Sequence, residues 1–412
     1  MKKFTEMPFI PVLLGANLNS YSLAREFHEA YNIKSIVLGK FVVTQIIGSK
    51  ILDFIQIDEM EDENVLVPKI NEIADKYNGT KIILLGCSDT MLKIIMQNKS
   101  EFAKNIIAPY VDIKKAEQLM NKEEFYKICE AKNIAYPKTF IINKENAENF
   151  VLENKVNLSE YPLVLKPSDQ PAFFAHKFIG QKKVYIVNNK EDLNAEIKNI
   201  YNSGYTGSLV LQEYIKGADS NMYVLNAYVN QKGKVSFMSF ANILLEEHTP
   251  TARGNHAVII NDYNKEVCEI AKKFLEEVDY TGFANFDIKY DAKDNTYKFF
   301  EINLRQGNSH YHVTAAGYNM AKILVDDIIY GKEAELLLAR NKKVFSIIPL
   351  FLGFIYIKDK SKLKLLLKMI IKRQAVNPLF YRKDFSFKRY YYLYLNLYGH
   401  ILKFLKYYME QK

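Results

Sequence analysis

The chain is poor in cysteine, lacks a long unbroken apolar run, and carries almost no acidic residues in its C-terminal region. Its three cysteines, Cys87, Cys129 and Cys268, stand far apart with no C-x-x-C spacing. That pattern suggests neither a disulfide framework nor a zinc site, and a reducing cytosol fits it. The longest apolar run, Val344 to Ile357, has 14 residues and contains Pro349 and Gly353, too short for a membrane span. The first residues, MKKFTEMPFIPVLLGANLNS, end their short apolar run in Gly and Asn and read as a first strand rather than a signal peptide. No G-x-G-x-x-G is present; the turn Leu14, Gly15, Ala16, Asn17 resembles half of one, so it is read as structural or as touching substrate. No Ser-His-Asp or Cys-His set, tandem repeat, low-complexity segment or nucleic-acid motif appears.

What is present is a 412-residue chain with 49% hydrophobic residues, enough for two or three domains with cores of their own. The net charge of +9 is uneven: Arg340 to Lys412 hold 17 Lys and Arg against 3 Asp and Glu, leaving residues 1–339 mildly acidic. Runs at 9–15, 33–38 and 81–86 alternate with helical patterns such as Ser20 to Tyr31, which implies a parallel α/β sheet. Further on, 222–229 and 234–240 form a hairpin closing on Gly233, 267–278 a helix, and 314–330 another.

One stretch organises the rest. Phe283 to Arg305, FANFDIKYDAKDNTYKFFEINLR, contains two period-2 runs around Ala292 to Asn295 and is expected to be a β-hairpin. Ala284, Phe286, Ile288, Tyr290, Phe300, Ile302 and Leu304 make one apolar face. Asn285, Asp287, Lys289, Glu301, Asn303 and Arg305 fall on the other. With a turn near residue 294, Asp287 lies opposite Glu301. Facing carboxylates repel, and folding asks for them only if a cation sits between. Oxygen ligands from Asp, Glu and Asn suit Mg²⁺ carrying a phosphate, whereas the alternative is a solvated polar face.

D-x-K-Y-D followed by F-E-I-N-x-R resembles the metal-binding strands of the ATP-grasp superfamily. With NKEEFYKICE, DSNMYVLNAYV, HTPTARGN and FEINLRQGNS, the chain from about residue 8 to 330 is similar to the D-aspartate ligases of peptidoglycan assembly. The resemblance implies an ATP-grasp fold of classes α/β and α+β: a Rossmann-like pre-ATP-grasp domain over 1–118, an ATP-grasp domain over 119–332 with a hinge near 212–215, and a basic, aromatic-rich helical region over 333–412. It implies Lys122 and Lys166 as the nucleotide-binding lysines, Gln212, Glu213, Tyr214 and Ile215 as the adenine hinge, and Asp219 as the ribose acid. Asp287, Glu301 and Asn303 are then the metal ligands, and Arg305, with Lys166, the catalytic cations. The segment Ser168 to Gly180 takes the place of the phosphate-covering loop but is poor in glycine; Ser168, His176 and Lys177 are its candidate phosphate ligands. Arg253 meets a phosphate or substrate, or is solvent-exposed.

The function implied is an ATP- and Mg²⁺-dependent carboxylate-amine ligase. It would activate the β-carboxylate of D-aspartate as an acyl phosphate and join it to the lysine side chain of a UDP-MurNAc-pentapeptide precursor. Alternatives are another acid or amine, or a non-catalytic nucleotide-binding protein whose basic tail docks on membrane. In the tail, Lys360, Lys364, Lys368 and Lys372 recur at i, i+4, a repulsive row that a nearby polyanion would relieve. An anionic membrane surface, the nucleotide-linked substrate, or a packed helical cap with snorkelling lysines each accounts for it. A cytoplasmic enzyme, peripheral to the inner face of the membrane and without a nucleic-acid partner, is the expected setting.

Overall fold

The computed structural model describes residues 7–147, 161–249, 252 and 254–409; Arg253 lies outside them. The first unit runs β1 (Phe9–Leu14), α1 (Leu18–Tyr31), β2 (Ser35–Gly39), β3 (Leu52–Gln56), α2 (Glu63–Lys76), β4 (Lys81–Gly86), α3 (Asp89–Gln97) and β5 (Ile106–Ile107). Its sheet is parallel, in the order β3-β2-β1-β4-β5. Every residue of β1 is buried, as a parallel strand covered on both faces requires. Gly15, at φ +111°, turns the chain out of β1, and Asn17 and Ser20 close a reciprocal cap on α1.

After α4 (Ile113–Met120) and α5 (Lys122–Ala131), a small antiparallel lobe forms from β6 (Thr139–Ile142), β7 (Leu163–Pro167), β8 (Tyr185–Val187) and β9 (Leu209–Glu213), ordered β6-β9-β7-β8. Between its strands lie α6 (Gln170–Ala175) and α7 (Lys190–Asn202). The expected phosphate-covering loop is therefore partly helical, because Asp169 caps α6 by accepting from the Ala172 amide.

The large sheet gathers β10 (Met222–Val229), β11 (Val235–Glu246), β12 (His256–Asp262), β13 (Gly282–Asp291) and β14 (Thr296–Asn303), with α8 (Lys265–Glu277) between β12 and β13. The predicted helix over 314–330 is instead two, α9 (Tyr311–Ala315) and α10 (Met320–Ile328). Gly317 at φ +102° breaks the run, and Asn319 caps the second piece. Next come β15 (Leu337–Leu338), β16 (Val344–Ser346), α11 (Leu350–Tyr356), α12 (Lys360–Ile371), β17 (Ala375–Val376) and α13 (Phe387–Met409). The sheet order is β14-β13-β10-β11-β12-β16-β17, with β15 on β11, so the C-terminal region is woven into the same sheet as the hairpin.

A buried ionic cluster ties that region to the first unit. Asp384 and Arg389 are both fully buried, with Arg389 Nε 3.1 Å from Asp384 Oδ2. Asp384 accepts from the Tyr21 hydroxyl (2.8 Å), the Ser49 hydroxyl (2.9 Å) and the Lys50 amide. The Arg389 guanidinium donates to the Gln45, Ile47 and Leu379 carbonyls and lies 4.1 Å above the Tyr21 ring. Such a pair repays its desolvation only while both partners remain. Asp384→Ala is expected to lower unfolding free energy by about 3 kcal/mol or more, read as a fall in the urea midpoint; an unchanged midpoint contradicts this account of how the region is held.

Candidate active site

Strands β13 and β14 pair with Asp287 opposite Glu301 and Asn285 opposite Asn303, as the hairpin pattern predicts. The apolar face departs from expectation at one position. A bulge after Asp287 sets Ile288 across from Phe299, so Phe299 enters the core at 1% exposure and Phe300 does not. One inserted residue reverses the alternation. Phe300 is thereby left half-buried with its ring 5.8 Å from Lys166 Nζ, and its carbonyl accepts from the Tyr126 hydroxyl at 2.8 Å.

The acid pair is electrostatically unequal. Lys122 Nζ sits 2.9 Å from Glu301 Oε2. Its ammonium, opposed by burial, holds the Glu301 carboxyl below the ordinary range. Asp287 is pushed well above its ordinary value by burial, and then by the charge and shared hydrogen bond of Glu301. Lys122 is the first residue of α5, where Asn121 caps the helix by accepting from the Glu123 and Glu124 amides. A cation at the positive end of a helix is disfavoured; burial works against its charge too, yet Glu301 raises its pKa.

Lys166, near the end of β7, donates to Gln212 Oε1 at 3.0 Å. Gln212, 1% exposed, donates in turn to the Tyr126 hydroxyl and Thr139 Oγ1. Burial, then repulsion from Lys122, pulls the Lys166 pKa down to about 7, with Lys183 adding to the repulsion. Lys122, Lys166, Asp287 and Glu301 thus form one charged cluster, with Asn303 one alternate position along from Glu301. Arg305 continues that face and makes a two-pronged bond to Asp89, Nε to Oδ1 at 2.7 Å and an Nη to Oδ2 at 3.1 Å. Asp89 opens α3, just past the C-terminal end of β4, so the parallel sheet supplies one wall of the site.

The residues expected at the adenine hinge and ribose make contacts of their own. Glu213 Oε1 accepts from Lys298 Nζ (2.8 Å) and the Lys138 amide (3.0 Å), which fixes the side chain and pins β9. Tyr214 lies beneath Lys289 Nζ at 5.7 Å, and Ile215 is buried. Asp219 accepts on Oδ2 from His248 Nε2 (2.8 Å), the Glu246 amide (3.0 Å) and the Tyr408 hydroxyl of α13 (3.2 Å). Burial pushes this carboxyl up, but the His248 and Glu246 bonds outweigh it and hold it below its ordinary value. His176 packs in the small lobe against Tyr205 and Gly204, and none of its described contacts reaches the Lys122–Glu301 cluster.

Among the described residues no three of His, Cys, Asp and Glu gather as a metal cluster. The hairpin instead offers two carboxylates and the Asn303 amide, a donor set that suits a hard cation taking its remaining oxygens from phosphate and water. Lys122 neutralises one of the two acids, whereas a divalent ion would neutralise both. Sequence reading missed Asp89, Glu246, Lys183 and the side-chain role of Gln212. For Asp89 a signal existed, an acidic residue in the first turn of a helix opened by Ser88, yet its partner lies 216 positions away.

A parallel α/β unit, a small antiparallel lobe and a large sheet, with facing acids at one edge and two lysines between the lobes, are the parts of an ATP-grasp ligase. Solved structures bear out the fold: N5-carboxyaminoimidazole synthetase of Staphylococcus aureus in complex with ADP aligns at a TM-score of 0.59 over 81% of each chain, at 15% identity. D-alanine--D-alanine ligase of Wolbachia pipientis wMel is 27% identical over 263 residues, 60% of this chain and 74% of that protein. No family model matches the chain. D-aspartate ligase of Enterococcus faecium (strain Aus0004) is 35% identical over 416 aligned residues, 99% of both chains. The chain belongs to the D-aspartate ligase family.

The cluster predicts a lysine that titrates near neutrality. In isotope-labelled protein free of nucleotide, the Lys166 amine is expected to lose its proton near pH 7. In Lys122→Met the midpoint should rise, because repulsion is removed and Glu301 is left to favour the charged form. A midpoint near 10 in the unaltered protein contradicts the assigned environment.

Proposed function

We propose that this ligase activates the β-carboxylate of D-aspartate with ATP and Mg²⁺ and joins it to the lysine side chain of a UDP-MurNAc-pentapeptide precursor. The observation that carries the chemistry is the facing pair Asp287 and Glu301 with Lys122 and Lys166 beside it. The full-length likeness to a D-aspartate ligase supports the choice of acid, and the resemblance to the enzymes of peptidoglycan assembly supports the choice of amine.

Joining a carboxylate to an amine in water is uphill, so the acid needs a leaving group, which phosphorylation supplies. Asp287, Glu301 and Asn303 would hold the metal, whose charge would screen the repulsion that keeps a carboxylate from the γ-phosphoryl group. Lys166, largely neutral when alone at pH 8, takes up a proton as polyphosphate approaches, because an anion beside it reverses the cause of its depressed pKa. Lys122 holds Glu301 ionised and ready. The backbone of Gln212 to Ile215 serves adenine beside the buried Ile215, and Asp219 Oδ1 serves the ribose, Oδ2 being engaged. Arg305, held by Asp89, steadies the acyl phosphate and the oxyanion formed when the amine attacks. Ser168, His176 and Lys177 would offer phosphate contacts from the small lobe. On this reading the enzyme works in the cytoplasm, where ATP and the anionic UDP-linked precursor are found, in peripheral contact with the membrane's inner face.

Purified protein with ATP and Mg²⁺ is expected to release ADP rapidly only when D-aspartate and the precursor are both present. Equal rates with amino acids of either hand, or without the precursor, reject the substrate assignment. Asp287→Ala combined with Glu301→Ala should abolish turnover, and Arg305→Met should lower kcat by about 100-fold while ATP still binds.

A further inference from the structure

A surface helix ordinarily buries one apolar stripe and turns polar residues outward. Helix α13 has two apolar stripes. Its inner one, with Leu393 and Phe404 buried beside Arg389 and His400, packs on the body. Its outer one is Phe387, Tyr391, Leu395, Tyr398, Leu402 and Leu405, from 86% exposed at Phe387 to 47% at Leu405. Those positions advance by four, four, three, four and three, so they form a single line on the side opposite the buried one. At 1.5 Å per residue the line runs about 27 Å.

The surroundings are of one kind. Of 23 exposed large hydrophobic side chains among the described residues, 14 lie between Phe351 and Leu405. Helix α11 packs on α13 through Tyr356 against Phe404 and Tyr408 and leaves Phe351, Phe354 and Ile355 exposed. Lys388 and Lys406 flank the outer line of α13, and no acidic residue occurs from Phe385 to Met409. On α12 the lysines 360, 364 and 368, with Lys372 following at its cap, are all exposed, so the row expected from sequence is real and unpaired by any described carboxylate.

We propose that the outer face of α13 is a docking surface for an anionic lipid bilayer, with the helix lying in the plane of the interface. This extends the peripheral contact of the preceding reading and does not depend on which acid or amine the active site takes. The aliphatic and tyrosine side chains need an apolar phase beside a wet one, and the lysines need an anionic surface; a bilayer of acidic lipids offers both within one helix diameter. A second copy of the chain would set one basic face against another, and nucleic acid offers no apolar phase to Leu395 and Leu402. No described helix is long and apolar enough to cross a membrane, so the contact is along the surface.

The test is co-sedimentation of the full-length protein with vesicles of phosphatidylglycerol mixed into phosphatidylcholine, and with phosphatidylcholine alone. Binding is expected to the acidic vesicles, to weaken by about tenfold as salt rises from low to several-fold physiological strength, and to be far weaker on the neutral ones. Tyr391→Glu with Leu395→Glu and Leu402→Glu should weaken it by at least about tenfold; these residues face outward, so circular dichroism and ATP turnover should stay unchanged. A second variant, Lys364→Gln with Lys368→Gln and Lys372→Gln, should reduce the salt dependence. The proposal is overturned if the protein stays in the supernatant with acidic vesicles at low salt, or if the glutamate variant binds as well as the original. It is equally overturned if ultracentrifugation finds a dimer that the glutamate variant dissolves while vesicles are ignored. Because sedimentation is read without substrates, its failure is separable from failure of the substrate assignment.

Discussion

Two carboxylates meet across a strand pair with one ammonium, that of Lys122, bonded to them, and the surrounding elements are arranged around that pair. Lys122 reaches Glu301 but leaves Asp287 with its charge disfavoured. Removing either acid would relieve the conflict, so folding alone does not call for the pair. Each surrounding element can be traced to it. The Asn121 cap starts α5 at Lys122, which reaches Glu301; Lys166 lies one residue before the end of β7, and Gln212 on β9 holds that lysine in place. The bulge in β14 belongs to the same arrangement, since a regular strand would have buried Phe300 instead of leaving it beside Lys166.

The parallel unit and the C-terminal region act on this centre from outside. Asp89 fixes Arg305 with a two-pronged bond across the boundary between the first sheet and the hairpin. Asn19, at the start of α1, donates to the carbonyl of Gln306 next along the chain. Arg25 donates to the Pro378 carbonyl, and Asp384 and Arg389 knit the start of α13 and the segment before it to α1 and the loop after β2. The parallel unit is therefore held to the rest by contacts that skip hundreds of residues, and local sequence carries no record of such contacts.

That separation explains what was legible. The hairpin could be read because alternation with period two, a turn-rich centre and two acids at matched distances are all local facts. The parallel sheet could be read for the same reason. The bulge could not, because its cause is the fit of Phe299 among residues from other elements. By sequence the 314–330 run reads as one helix, whereas Gly317 at φ +102° divides it. Asp89, Glu246 and Lys183 were invisible as site residues, being ordinary charged side chains until the fold brings them beside Arg305, Asp287 and Lys166. Sequence points to the backbone of Gln212, whereas in the fold its side chain supports Lys166.

The hydroxyl of Tyr408, near the close of α13, rests on Asp219, early in β10's approach to the sheet. During translation, every residue of the acid-bearing hairpin has left the ribosome while α13 is still unmade. A nascent chain at that stage has its facing acids but lacks the Tyr408 bond, so the setting of Asp219 is completed only when α13 folds back onto it.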